Sequence, residues 1–260
     1  MTAPAQSALT LDVSGTPPTP FARLVGVEVR KTWDTRAGIW LLATIVGITA
    51  IAMVIFFAVA DSQDRVFGNF IGFASTPQGF LLPVLGILLV TTEWSQRTAM
   101  VTFALEPSRT RVIASKVVAA LIWGVGAFVA AVVIAALFAL VGGAEDKFAD
   151  VRLTVFVLFF VLQLTTILQG LAYGLILLNT PAAIVVFFVL PIASSIIFGT
   201  ISGLHDVAPW LDLGTAQTPM FEGDFDLSGE EYAQLGTAML IWIALPFVAG
   251  WFRVMRAEVK

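Results

Sequence analysis

The sequence predicts an all-α membrane protein with six transmembrane helices, and three observations support that fold class. Of 260 residues, 58% are hydrophobic and 12% charged, where a soluble domain carries roughly 25% charged residues. The mean hydropathy is +0.92. The apolar residues gather into uncharged runs near the roughly 20 residues that a helix needs to cross a bilayer. A helix pairs its own backbone N–H and C=O groups, as a hydrocarbon interior demands.

The same composition excludes several chemistries. There is no cysteine, so disulfides, thiol nucleophiles and cysteine–metal sites are absent. His205 is the single histidine, which rules out an H-E-x-x-H site, and a lone His205–Asp206 pair is not a metal site. A net charge of −4 argues against a nucleic-acid partner. No cofactor is expected on this chain.

Residues 1–20 are polar and rich in Pro, Ser and Thr. No basic residue precedes an apolar core there, so the stretch is not a signal peptide and reads as a disordered cytoplasmic tail. Residues 21–260 read as one six-helix domain. Within residues 21–36, Phe21, Leu24, Val25, Val29 and Trp33 follow a helical period, while Arg23, Arg30, Lys31 and Asp34 populate the other side. That pattern predicts a helix lying in the membrane interface, with Val27 out of place. The alternative is a solvated extension of the first span.

The spans are expected at residues 39–60, 74–92, 117–141, 153–178, 182–201 and 232–252. Residues 153–204 contain no charge at all, too long a run for one crossing at about 1.5 Å per residue. Asn179-Thr180-Pro181 divides it, because proline disfavours helical geometry in the residue before it. Pro77, Pro83, Pro191 and Pro246 fall inside spans and are expected mainly to shape them. Of the 14 basic residues, Arg65, Lys147 and Arg152 fall outside and the other 11 inside when both termini are cytoplasmic. The positive-inside rule fixes that orientation. The loop at residues 202–231 is acidic, with Asp206, Asp212, Glu222, Asp224, Asp226, Glu230 and Glu231 and no Lys or Arg. Its Trp210, Leu213 and Met220 predict a re-entrant outer loop that packs back as short helices.

No phosphate-loop motif is present, so nucleotide hydrolysis by that route is excluded. No span carries an ionisable group near its centre, which counts against an ion-driven carrier. The informative segment follows span two. It holds Glu93, Arg97, Thr98, Pro107, Ser108, Arg109, Arg111 and Lys116, with helical apolar spacing at Met100, Val101, Phe103, Ala104 and Leu105. Pro107-Ser108 should break one helix and cap the next. The segment reads either as a docking surface under the membrane or as an ordinary positive-inside loop.

This segment resembles the cytoplasmic loop of ATP-binding-cassette (ABC) transporter permeases of the type-two export family. Those permeases commonly show a Glu ending span two, a Gly-Thr-like pair, an apolar helix, a Leu-x-Pro-x-Ser-Arg run and a Lys entering span three. Glu93, Thr98, Leu105, Pro107, Ser108, Arg109 and Lys116 hold those places. Arg97 stands where the family often has Gly, and Glu106-Pro107 directly after Leu105 shortens the usual spacing by one. A looser resemblance covers residues 21–260. It implies a transport subunit without its own ATPase, in the plasma membrane of a bacterial cell, paired with a second copy of itself or a related permease. Separate ABC ATPase subunits would hold ATP and Mg and receive the loop helix, a coupling helix, in a groove. Glu93, Arg97, Arg109 and Arg111 are the expected docking charges. The cargo of such an exporter would be a hydrophobic or amphipathic small molecule.

In span four, Gln163, Thr166, Gly170 and Tyr173 share one helix face, with Thr165 and Gln169 beside it. Gly170 and Gly174 form a small-xxx-small pattern. These residues serve helix packing, or line a substrate path at a dimer seam, or both. Two competing functions remain open: a non-transporting sensor, immunity or assembly subunit, and an intramembrane enzyme, for which Glu230-Glu231 is the only lure.

Overall fold

The computed structural model describes residues 19–148, 151–221 and 226–258. The expected tail lies outside these up to residue 18, as do Glu222 and Asp224 of the acidic loop. Among the described residues there is no strand, and six helices are long and apolar enough to cross a membrane.

Helix α1 (Phe21–Asp34) meets α2 (Arg36–Val59) at the extended Thr35, whose Oγ1 accepts from the Gly38 N–H at 3.1 Å. Then come α3 (Phe67–Ser95), the short α4 (Ala99–Leu105), α5 (Arg109–Val141), α6 (Leu153–Leu177) and α7 (Thr180–Thr200). After α8 (Ala208–Leu211) and α9 (Leu213–Phe221), the last span is built from α10 (Gly229–Met239), a π-helical turn at Leu240–Ala244 and α11 (Leu245–Arg256). The helices start earlier than the apolar runs do. With 33 residues, α5 is about 50 Å long, well over a hydrocarbon core of about 30 Å. Its first two turns carry Arg109, Arg111 and Lys116.

α3 and α6 form the central pair. Of their most apolar stretches 56% and 61% of residues are buried, against 17–22% for the other four spans, whose faces turn outward. The pair approaches closely because glycines line the seam. A Cβ added at Gly170 would stand 2.6 Å from Pro83 Cα and clash with its carbonyl oxygen, and one at Gly86 would stand 2.9 Å from the Leu171 nitrogen. Gly174 faces Ile87 in the same way. With lipid as apolar as leucine, this van der Waals contact between backbones is the driving force available to the helices.

Proline shapes the spans unequally. α3 runs through Pro77 and Pro83, and α7 through Pro191. Before Pro246 the backbone widens into the π turn, which relieves the clash of the proline ring with the carbonyl four residues back. Between α6 and α7 the chain reverses at Leu178, which is left-handed (φ 50°), and Asn179, whose Oδ1 accepts from the Ala182 N–H at 3.0 Å.

At the end of the bundle away from α1, the loop after α7 folds back as expected. Asp212 is fully buried there. Its Oδ1 accepts from Ser194 Oγ at 2.5 Å, and its Oδ2 from Ser195 Oγ, Thr215 N and Thr215 Oγ1 at 3.1, 2.9 and 2.8 Å. Trp242 Nε1 donates to the Leu211 carbonyl at 2.7 Å, fastening α8 to the π turn. Glu231 is occupied in a capping box with Ser228, and Glu230 accepts from Gln234. Arg152 pairs with Asp226 at 2.5 Å, both side chains well exposed, an arrangement of little energetic weight.

Replacing Gly170 by Ala should destabilise the bundle by about 1–3 kcal/mol through overpacking. Replacing Gly126, around which an added Cβ meets nothing within 4 Å, should leave stability unchanged. Thermal unfolding of the two purified variants compares them directly, and equal midpoints would contradict the seam.

Candidate functional site

The most concentrated polar chemistry lies where α1, α3, α4, α5 and α11 meet. Lys116 Nζ donates to Glu28 Oε2 at 2.7 Å and to the Leu89 carbonyl at 2.8 Å, and lies 3.1 Å from Glu93 Oε2. Lys31 Nζ donates to Glu28 Oε1 at 2.7 Å and to Glu93 Oε1. Two carboxylates and two ammonium groups therefore alternate in a closed, neutral ring that joins α1, α3 and α5. Glu28 and Lys116 are each 4% exposed. Burial of such charges costs several kcal/mol per ion unless their hydrogen-bonding groups are satisfied, and here each carboxylate oxygen meets an ammonium group. Burial by itself would lower the pKa of Lys31, but Glu28 and Glu93 outweigh it and hold the ammonium above its ordinary 10.5. Its stabilising contribution is thus complete below 10.5 and is lost only as pH rises through the higher folded value.

Glu28 was not among the residues singled out in the sequence. The available signal was the i, i+3 pair Glu28–Lys31 together with an isolated Lys116 that needs a counter-charge near the membrane. The ring also decides how α1 rolls. Leu24, Val25, Val29 and above all Glu28 and Thr32 turn toward the bundle, whereas Phe21 and Trp33, expected on the same apolar face, are exposed, and the Trp33 ring lies tilted against Trp123, their centres 5.9 Å apart. Arg23 and Arg30 are exposed as expected.

α3 ends in a Schellman turn. The Thr98 N–H bonds to the Glu93 carbonyl at 2.8 Å, and the Arg97 N–H to the Trp94 carbonyl at 3.2 Å. Arg97 takes the left-handed position at φ 59°, which is where glycine is usual. The departure from Gly noted at this residue therefore falls at the one backbone conformation in the loop that favours it. α4 is then held from several sides. Thr102 Oγ1 donates to Glu93 Oε1 at 3.1 Å, Phe103 packs on Trp94, and the Arg109 guanidinium lies 5.0 Å over the Phe103 ring. Arg109 Nη1 also caps the end of α11, donating to the carbonyls of Val254, Met255 and Ala257 at 2.6, 3.1 and 2.9 Å. Arg111 pairs with Glu106 at 3.0 Å and donates to the Thr19 carbonyl. Ser108 occupies the N-cap of α5 but its side chain makes no capping bond. Glu106 Oε1 accepts from the Ser108 N–H at 3.3 Å instead.

The loop residues thus divide. Glu93, Lys116, Arg109 and Arg111 are engaged within the chain, while Arg97, Thr98 and Pro107 are exposed. Exposed with them are the apolar Met100 (54%), Val101 (58%) and Leu105 (77%). In α6, Gln163, Gln169, Gly170 and Tyr173 are buried within this one chain. Gln163 Nε2 donates to Gln78 Oε1, Gln78 to the Ala127 carbonyl at 3.4 Å, and Gln169 to the Tyr173 hydroxyl at 3.4 Å. Thr166 bonds its own helix at the Leu162 carbonyl, 2.6 Å away. The packing use expected of these residues is therefore present. Tyr173 alone also borders an apolar cavity of about 350 Å³ shared with α7 and the π turn.

Glu28→Gln should cost about 3–5 kcal/mol by leaving Lys116 short of a counter-charge. Adding Lys116→Met to Glu28→Gln leaves the neutral Lys31–Glu93 pair and should recover most of that loss. A double-mutant cycle on thermal unfolding tests it, and strictly additive losses would show that the ring is not a unit. Arg97→Gly should raise stability by about 1 kcal/mol by removing the left-handed strain. An unchanged or lower midpoint would contradict that reading.

No protein-family model matches the chain, and no curated protein matches it in sequence.

Proposed function

We propose that the chain is the membrane-spanning subunit of an ATP-binding-cassette exporter of the type-two family, driven by ATP hydrolysis in a separate partner subunit. The observation that carries this reading is α4. It is a short helix between the second and third spans that exposes Met100, Val101 and Leu105 and yet is tied to α3 through Glu93 and Trp94 and to α5 through Arg109. Exposed apolar anchors fixed to a rigid element are what a docking partner needs.

In this reading both termini and α4 face the cytoplasm, and the partner's groove receives α4 with Arg97 and Thr98 at its edge. A displacement of α4 passes to α3 through Glu93 and Thr102, to α11 through Phe103 and Arg109, and to α1 through the Glu93–Lys31 contact. Such coupling shifts the bundle only through contacts that differ between its two conformations, and each of these polar contacts can be remade. Arg109 and Arg111 then transmit the motion, and the exposed apolar side chains bind. A second copy of this chain or a related permease completes the transporter, and hydrophobic or amphipathic small molecules are its cargo.

Tagged protein, purified from native membranes in mild detergent, should bring down a soluble partner in equal amount that carries a phosphate-loop motif. Met100→Glu with Leu105→Glu should weaken that association at least about tenfold without lowering the yield of folded protein. Recovery of the folded wild-type chain with no nucleotide-binding partner would overturn the proposal in favour of a non-transporting sensor or assembly subunit.

A further inference from the structure

A cavity of about 640 Å³ opens between α1, the start of α2, the end of α3, α4 and the start of α5. It borders the exposed face of α4, with which it shares Val101 and Leu105, and its walls are chiefly apolar, with Val27, Leu85 and Leu88 also among them. The ring of Glu28, Lys31, Glu93 and Lys116 forms its floor. The balance of donors and acceptors on these walls specifies what fits.

Lys116 has three N–H groups and uses all of them, on Glu28, Glu93 and the Leu89 carbonyl. Both carboxylates of the ring are met by ammonium groups, and Glu106 at the cavity edge is paired with Arg111. No negative charge is left for a cationic ligand. One positive charge and one ammonium donor are left. Lys31 uses two of its three N–H groups, and among the described residues no acceptor meets the guanidinium of Arg23, which lines the same cavity. Arg23, Val27 and Lys31 recur every four residues and so share one face of α1. The cavity therefore offers an unpaired guanidinium, an apolar side chain and a spare ammonium N–H along one wall and leucines along the other.

We propose that this cavity binds one anionic phospholipid from the leaflet in which α1 lies. Its phosphate sits on the Arg23 fork within reach of the spare Lys31 N–H, and an acyl chain lies against Val27, Leu85 and Leu88. Guanidinium matches phosphate geometry in bidentate fashion, and a bilayer supplies this amphipathic anion at high local concentration. The lipid would wedge α1 against α4 and the ring. The proposal needs only that the six helices lie in a bilayer, so it stands or falls apart from the transport reading.

Native mass spectrometry of the delipidated full-length protein, titrated with phosphatidylglycerol, tests it. One lipid per chain should persist at collision energies that strip the annular ones, and bind more tightly than phosphatidylcholine. Arg23→Gln should weaken that lipid about tenfold, the size of one charge-assisted contact. Arg30→Gln removes the same charge from the exposed side of α1, outside the cavity, and should change nothing. Val27→Trp should crowd the wall on which the acyl chain lies and weaken the bound lipid while the protein elutes as wild type in gel filtration. No retained lipid, equal effects of Arg23→Gln and Arg30→Gln, or full retention in Val27→Trp each overturns the proposal.

Discussion

Four charges that the bilayer would otherwise refuse hold one end of this bundle together. Glu28 comes from α1, Glu93 from the end of α3, Lys116 from the start of α5, and Lys31 closes the circuit. Taken singly, each would be costly to bury. Taken together they are neutral, and each carboxylate oxygen has its own ammonium partner. The consequence is geometric as much as energetic. α1 can dock in one rotation only, because any other leaves Lys116 without Glu28. That rotation turns Phe21 and Trp33 outward, and it gives the cavity under α1 its lining of Arg23, Val27 and Lys31.

The rest of the bundle hangs on a contact of a different kind. Along α3 and α6 the chain gives up side chains at Gly86, Gly170 and Gly174 so that two backbones can touch. Dispersion over such a seam is short-ranged and unforgiving of volume, whereas the ring of charges is strong but can be repartnered. The molecule thus combines a stiff central pair with a polar junction at one end that tolerates rearrangement. The transport function proposed above would use that combination, with stiffness along the central helices and exchangeable contacts beside α4.

The opposite end is fastened by different means. Asp212 gathers two serines and a threonine, and Trp242 of the widened π turn holds the end of α8. Neither fastening involves an opposing charge: the Asp212 carboxylate is held by hydroxyl and backbone donors alone. The π turn itself follows from Pro246, and it places the Trp242 indole where a regular helix would have aimed it elsewhere.

Six long apolar helices, the amphipathic helix before them, the break at Asn179-Thr180-Pro181 and the short helix after Glu93 were all legible in the chain. Length and charge depletion are one-dimensional quantities that the bilayer reads directly. The Gly170–Gly174 pattern also announced a close helix contact, because small residues at that spacing have little other use. What the chain could not reveal was partnership. Glu28 sits 88 residues from Lys116, and Gln78 sits 85 from Gln163. No periodicity connects residues so far apart, and only the packing of α1 on α5 and of α3 on α6 brings them together. The same is true of Arg109. As a sequence feature it belongs with the charges of an exposed loop, but in the folded chain it caps α11 from across the bundle. Local pattern determined which segments are helices, while the satisfaction of buried charge, a property of three dimensions, decided which of their faces meet.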